Sequence, residues 1–155
     1  MAPNRRLPDN DAWRILAASQ WGVLSCIDED GLPYATPVSA VLDPQDRCLY
    51  FHCRRIGRRM RALTANPRVC YVTPVDVSLP EMRFITWYEC AMVEGVAERV
   101  ADEALVRDRL RLICDRLAPG QLERREDDVI ERYLPAVAIM RIVPERVSAK
   151  RNRDD

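Results

Sequence analysis

Apolar and polar residues alternate from Trp21 to Ile27, a stretch rich in strand-forming residues, and Tyr34 to Leu42 reads as a second strand. A two-residue period is that of a strand with one buried face. Between them lies Asp28-Glu29-Asp30-Gly31, a turn that uses Gly31 where positive φ is needed, so the two strands form a hairpin. Pro33 and Pro37 mark the second strand as an edge or irregular stretch, because proline cannot donate to a ladder. Asp43-Pro44-Gln45-Asp46 makes the next turn, and Cys48 to Cys53 is the third strand. Arg68 to Pro74 is the fourth, followed by a loop from Val75 to Glu81. Arg83 to Val100 reads as a long fifth strand with a bulge at Gly95. Ala136 to Val143 is the last apolar strand, and the tail Lys150 to Asp155 is expected to fray.

The helical period appears in four places. Pro8-Asp9-Asn10-Asp11 opens a short amphipathic helix carrying Ala12, Trp13, Ile15, Leu16 and Ala17. Ile56 to Ala65 is a second short helix, ended by Asn66-Pro67. Asp102 caps a third, whose apolar stripe is Leu105/Val106, Leu110, Ile113 and Leu117 and which stops at Pro119-Gly120. Gln121 to Tyr133 is a fourth, heavily charged helix. Consecutive hairpins argue for an antiparallel sheet. About six strands with few residues to spare argue for a closed or partly split barrel, which protects its edges. The fold class expected is mainly β with flanking helices, in one domain spanning residues 1–155.

Composition narrows the function. The chain carries 24 basic and 24 acidic residues, so it lacks the basic excess that nucleic-acid binding requires. No apolar run approaches the roughly 20 residues of a membrane span, and no signal peptide precedes the polar start, so a cytoplasmic protein is expected. Six cysteines without Cys-x-x-Cys spacing read as reduced thiols, and with a single histidine, His52, no metal centre is expected.

The chemistry concentrates between Leu49 and Tyr71. There a strand leads into a turn carrying Arg54, Arg55, Gly57, Arg58 and Arg59, and then into the start of a helix. A helix N-terminus presents unpaired N–H groups and a positive dipole end, and arginine forks bind phosphate bidentately. Composition alone leaves this cluster as either a solvated basic face or a phosphate site.

Three segments, WGVLSCIDEDGLPYATPVSAV (Trp21–Val41), LYFHCRRIGRRMRALTANPRVCYV (Leu49–Val72) and TWYECAMVEGVAERV (Thr86–Val100), resemble split-barrel flavoproteins of the pyridoxamine 5′-phosphate oxidase-like superfamily. Within it the chain is most similar to the nitroimidazole-resistance (Nim) type. The resemblance implies a six-stranded antiparallel split barrel of the FMN-binding type. It also implies a homodimer, with FMN in grooves at the interface and a small-molecule substrate. The stretch Thr36, Pro37, Val38, Ser39, Ala40 and Val41 matches the strand that runs along the flavin. His52 and Cys53 match strand-end residues near its phosphate, Arg58 and Arg59 the basic phosphate-binding pair, and Cys90 a polar residue meeting the ring.

Three departures qualify the match. Arg59 stands where the oxidases usually have lysine, which alters the geometry of phosphate contact. Cys90 is a poor hydrogen-bond donor. The ending MRIVPERVSAKRNRDD lacks the oxidases' tryptophan- and arginine-bearing substrate motif, so the resemblance does not extend to pyridoxal phosphate synthesis. The implied activity is FMN-dependent reduction of a small acceptor, such as a nitroaromatic compound, with His52 as the proton-relaying residue. The alternatives are a non-catalytic flavin carrier or sensor, and a haem or deazaflavin binder on the same scaffold. His52 also reads as a structural histidine, and Cys53 and Cys90 as apolar fillers. Trp87, Tyr88 and Glu89 read either as core and dimer contact or as a stacking platform.

Overall fold

The computed structural model describes residues 5–82, 84–120 and 126–153. Its elements run β1 (Arg6–Leu7), α1 (Asp9–Ala18), β2 (Gly22–Ile27), β3 (Pro33–Val38), β4 (Val41–Asp43), β5 (Cys48–Arg54) and α2 (Arg58–Ala65). They continue with β6 (Arg68–Ser78), β7 (Trp87–Arg99), α3 (Glu103–Leu117), α4 (Glu126–Tyr133) and β8 (Val137–Asn152). The strands form one antiparallel sheet in the order β3-β2-β6-β7-β8-β5-β4, with β1 added against β8. The fold is therefore a mainly β split barrel. Its two edges, β3 and β4, are consecutive in the chain and joined only through Ser39-Ala40. A link that short forces the sheet to curl until its ends approach, while no ladder joins them.

This geometry corrects the strand count. The expected second strand, Tyr34 to Leu42, is two strands, because Pro33–Val38 pairs with β2 whereas Val41–Asp43 pairs with β5. With β1, the six expected strands become eight. The fourth strand continues beyond Pro74 into the expected loop, since Val75 pairs with Glu89 and Ser78 with Trp87 around a break at Asp76, whose φ is 52°. The fifth begins at Trp87 instead of Arg83, and Arg83 itself lies outside the described residues.

The expected frayed tail is ordered as far as Asn152. Ala149 and Lys150 pair with β1 on one side and with Ala91 and Cys90 on the other. This end of β8 reads as polar because half of its residues face solvent. The Gly95 bulge is present, as a register shift between Glu94 and Gly95. Asp102 caps α3 by accepting from the Leu105 N–H at 2.7 Å. The fourth helix is described from Glu126 on, and Gln121–Arg125 lie outside the described residues.

Two apolar cores follow from strand alternation. Leu49, Phe51 and Cys53 of β5 point into the barrel with Leu24, Tyr71, Val93 and Met140, and Ile15 and Leu16 of α1 and Ala62 and Leu63 of α2 fill it further. Cys48 and Tyr50, on the other face of β5, pack with Ile139 under Leu110 and Ile113 of α3 and Ile130 of α4. No helix among the described residues is long and apolar enough to cross a membrane.

Candidate functional site

The strand β5 carries His52 and Arg54 outward, and the chain then turns through Arg55, Ile56 and Gly57 into α2. Gly57 sits at φ 128°, a conformation that disfavours a side chain, and directly precedes the helix. No side chain caps α2, so its first-turn N–H groups stay available to an anion.

The β2–β3 hairpin lies beside this helix start and engages its arginines one by one. Arg58 donates to Asp28 at 2.8 Å and lies 4.5 Å from the centre of the Tyr34 ring. Arg61 donates to Glu29 at 2.6 Å. Arg59 donates to the Thr36 hydroxyl at 2.9 Å and to the Pro37 carbonyl at 3.4 Å. Its buried Nε meets no acceptor among the described residues. Arg55 turns away from the helix and donates to the carbonyls of Val137 at 2.9 Å and Leu134 at 3.0 Å, which ties down the chain between α4 and β8. Of the arginines on and just before α2, Arg58 and Arg61 are thus neutralised and Arg55 is structural. Arg59 holds no carboxylate among the described residues.

Electrostatics follows the contacts. The hydrogen bond from Arg58, then those from the backbone N–H groups of Leu32 and Asp30, hold the Asp28 carboxyl below its usual value. His52 stands exposed on the sheet, yet partial desolvation of its ring and then the nearby Arg59 charge lower its pKa. Burial raises the thiols of Cys53 and Cys90, which makes both poor nucleophiles.

The structure brings Thr36, Pro37 and Arg59 together, with His52 within electrostatic reach of Arg59. It separates the rest. Arg58 belongs to Asp28. Cys53 points into the barrel core, on the opposite face from His52. Val38 and Ala40 are also in that core, and Val41 is in the second, so their side chains are directed inward; Ser39 is half-buried between them. Cys90 pairs with Lys150 whereas His52 pairs with Ile139, which puts the two at opposite ends of β8. Near Cys90, Trp87 lies under Arg153 and Tyr88 under Lys150, and Glu89 is bound by Arg14 at 2.7 Å. The sequence reading missed Asp28, Glu29 and Tyr34. The available signal was charge alone, an acidic turn, Asp28-Glu29-Asp30, in the same chain as an arginine-rich helix start.

A second surface is apolar and partly open to solvent. Val23 pairs with Val72, and Val72 with Met92, in a row across β2, β6 and β7 that stays half-exposed. The chain between Val77 and Ile85 adds exposed Leu79, Met82 and Phe84.

With the split barrel and its arginine-lined helix start in view, the chain belongs to the pyridoxamine 5′-phosphate oxidase family, whose model matches residues 8–151. Among solved structures it is similar to a FAD-binding protein from Mesorhizobium loti, at 26% identity and TM-score 0.67 over 96% of this chain and 98% of that one. It also resembles a Bacteroides thetaiotaomicron protein assigned to 5-nitroimidazole antibiotic resistance, at 20% identity and TM-score 0.75, covering 94% and 85% of the two chains. The flavocytochrome Anf3 from Azotobacter vinelandii shares the fold at 24% identity and TM-score 0.77, over 95% of this chain and 68% of that one. No curated protein sequence matches the chain.

Proposed function

We propose that this chain is a flavoprotein that binds FMN and reduces a small acceptor, a nitroaromatic compound among the candidates, as a homodimer. The observation that carries the reading is the pairing of an uncapped helix start with Arg59, a cation that holds no carboxylate among the described residues, beside the outer edge of β3. One helix N-terminus and one arginine fork suit one phosphate group. The FAD-binding relative supports a flavin as the molecule carrying it. When bound, the flavin supplies the electron transfer, and the protein supplies binding and orientation.

In this reading the α2 N–H groups and Arg59 hold the phosphate, while the Thr36–Val38 edge of β3 offers main-chain groups to the ring. His52, neutral at pH 7 because its pKa is lowered, accepts a proton rather than donating one in the resting protein. The half-exposed Val23, Val72 and Met92 row is the face that a second copy covers. The wide separation of Cys90 from His52 leaves Cys90 without a part in a site built from one chain. A second reading, a flavin carrier without turnover, is favoured by the burial of Cys53 and Cys90, which keeps both thiols from acting as redox nucleophiles.

The test is the visible spectrum of the purified protein, with release and mass measurement of the chromophore, repeated on Arg59→Ala. The wild type is expected to carry FMN. The variant is expected to lose roughly 1.5–3 kcal/mol of flavin binding, the worth of a hydrogen bond to a charged group. FMN affinity equal in the two proteins removes the phosphate assignment. Bound flavin that no acceptor reoxidises selects the carrier reading.

A further inference from the structure

Thr36 is half-buried on the edge strand, and its hydroxyl accepts from Arg59 Nη2 at 2.9 Å, as does the Pro37 carbonyl at 3.4 Å. Both acceptors are conformationally fixed. A residue before proline is confined to extended backbone, and a β-branched side chain is stiff at χ1, so Thr36 has little freedom to aim its oxygen elsewhere. Pro37 has no N–H and presents only its carbonyl at this edge. The Arg59 stem is held as well, with Nε buried against the protein. Nη1 is left with both hydrogens and no acceptor among the described residues. It is therefore the donor pair that the described residues leave uncommitted.

The neighbouring arginines make the contrast. Arg58 is drawn to the Asp28 carboxylate, and Arg61 to Glu29. Arg59 alone of the three is anchored through neutral oxygens, which orient a guanidinium without cancelling its charge. We propose that Thr36 is a positioning residue for anion binding, its hydroxyl aiming Arg59 so that a phosphate monoester at the α2 N-terminus meets a preset donor pair. This assigns the Thr36 side chain a role separate from main-chain contact with the ring, and it rests on the flavin reading above.

The experiment compares wild type, Thr36→Val and Thr36→Ser in flavin-free full-length protein, each titrated with FMN and with riboflavin, which lacks the phosphate. Valine keeps the shape and strand preference of threonine but removes the acceptor; serine restores it. The expected result is that Thr36→Val weakens FMN about tenfold, the equivalent of roughly 1.4 kcal/mol. Riboflavin affinity stays unchanged, and Thr36→Ser recovers most of the loss. Equal weakening toward both flavins means that Thr36 acts through packing of β3 and overturns the proposal, as does FMN binding that is the same in all three proteins. A wild type that takes up neither flavin defeats the flavin reading instead. Thermal stabilisation by inorganic phosphate then decides the positioning role: stabilisation lost in Thr36→Val and restored in Thr36→Ser sustains it, and any other pattern ends it.

Discussion

The Asp28 carboxylate binds the Arg58 guanidinium at 2.8 Å with one oxygen, while its other oxygen closes the β2–β3 turn by accepting from the N–H groups of Asp30 at 3.1 Å and Leu32 at 3.0 Å. One side chain thus shapes the hairpin and ties it to the first turn of α2. The hairpin and α2 are docked by charge as well as by apolar packing.

That double role sets a pH dependence. Asp28 has a folded pKa below its usual value, so its contribution is complete above the ordinary carboxylate range near pH 4 and is lost as the pH falls through the lower folded value. The side-chain amide of an Asp28→Asn variant still accepts from the turn N–H groups but cannot bind Arg58 as an ion. Thermal melts at pH 7 should therefore find Asp28→Asn less stable than wild type, and the gap should shrink toward pH 3, as the unfolded chain takes up at Asp28 a proton that the folded carboxylate resists. A gap of the same size at both pH values would show that the ion pair contributes nothing.

His52 is the only histidine, so its ring protons titrate without overlap in a proton NMR spectrum. Desolvation and then the Arg59 charge lower its pKa, and wild-type His52 should titrate below the usual value of about 6.5. Arg59→Met removes the second cause and should raise the midpoint part of the way back. The linkage has a definite sign. With a lowered folded pKa, the neutral ring favours the fold above the unfolded value, and that contribution fades as acid protonates it. An unmoved midpoint in Arg59→Met would separate the two residues electrostatically and weaken the case for a shared groove.

The barrel was legible because its interior obeys the two-residue period: Leu49, Phe51 and Cys53 face one way and Cys48 and Tyr50 the other. The end of β8 was not, since Arg146, Ser148 and Lys150 interrupt any apolar signal on a strand with a solvent face. The break at Ser39-Ala40 escaped for another reason. Nothing local in Tyr34 to Leu42 reveals that its two halves pair at opposite edges of a sheet. At the site, an arginine-rich helix start was visible in the sequence. Which arginine keeps its charge was not, because that depends on Asp28, Glu29 and Thr36 arriving from a hairpin some 30 residues away in the chain. The alternation that revealed β5 also sends the Cys53 side chain inward while His52 goes out.

Gly95 is a point where the fold tolerates no side chain. A Cβ there would sit 2.1 Å from the Val143 carbonyl oxygen and 3.0 Å from its carbon, both of them backbone atoms at the β7–β8 register shift. The strand on which β5 also depends would have to move. Gly95→Ala should cost about 3 kcal/mol or more, a fall in Tm of roughly 6–12 °C for a chain of this size. A melt within a degree or two of wild type would mean that the bulge relaxes freely.

The half-exposed row of Val23, Val72 and Met92 tests assembly. Val72 lies at its centre, on the face opposite the barrel core, so Val72→Arg leaves the interior intact and the folded monomer should keep its melting temperature nearly unchanged. If a second copy covers this face, a buried guanidinium without a partner at the two-fold seam is strongly unfavourable. Sedimentation at micromolar concentration should then find a dimer for wild type and a monomer for Val72→Arg. Flavin should be lost along with the dimer if the groove needs both copies, and kept if Arg59 and α2 suffice. A wild-type monomer would remove the interface altogether. A Val72→Arg dimer would move it elsewhere, and the exposed Leu79, Met82 and Phe84 between β6 and β7 become the next face to interrupt.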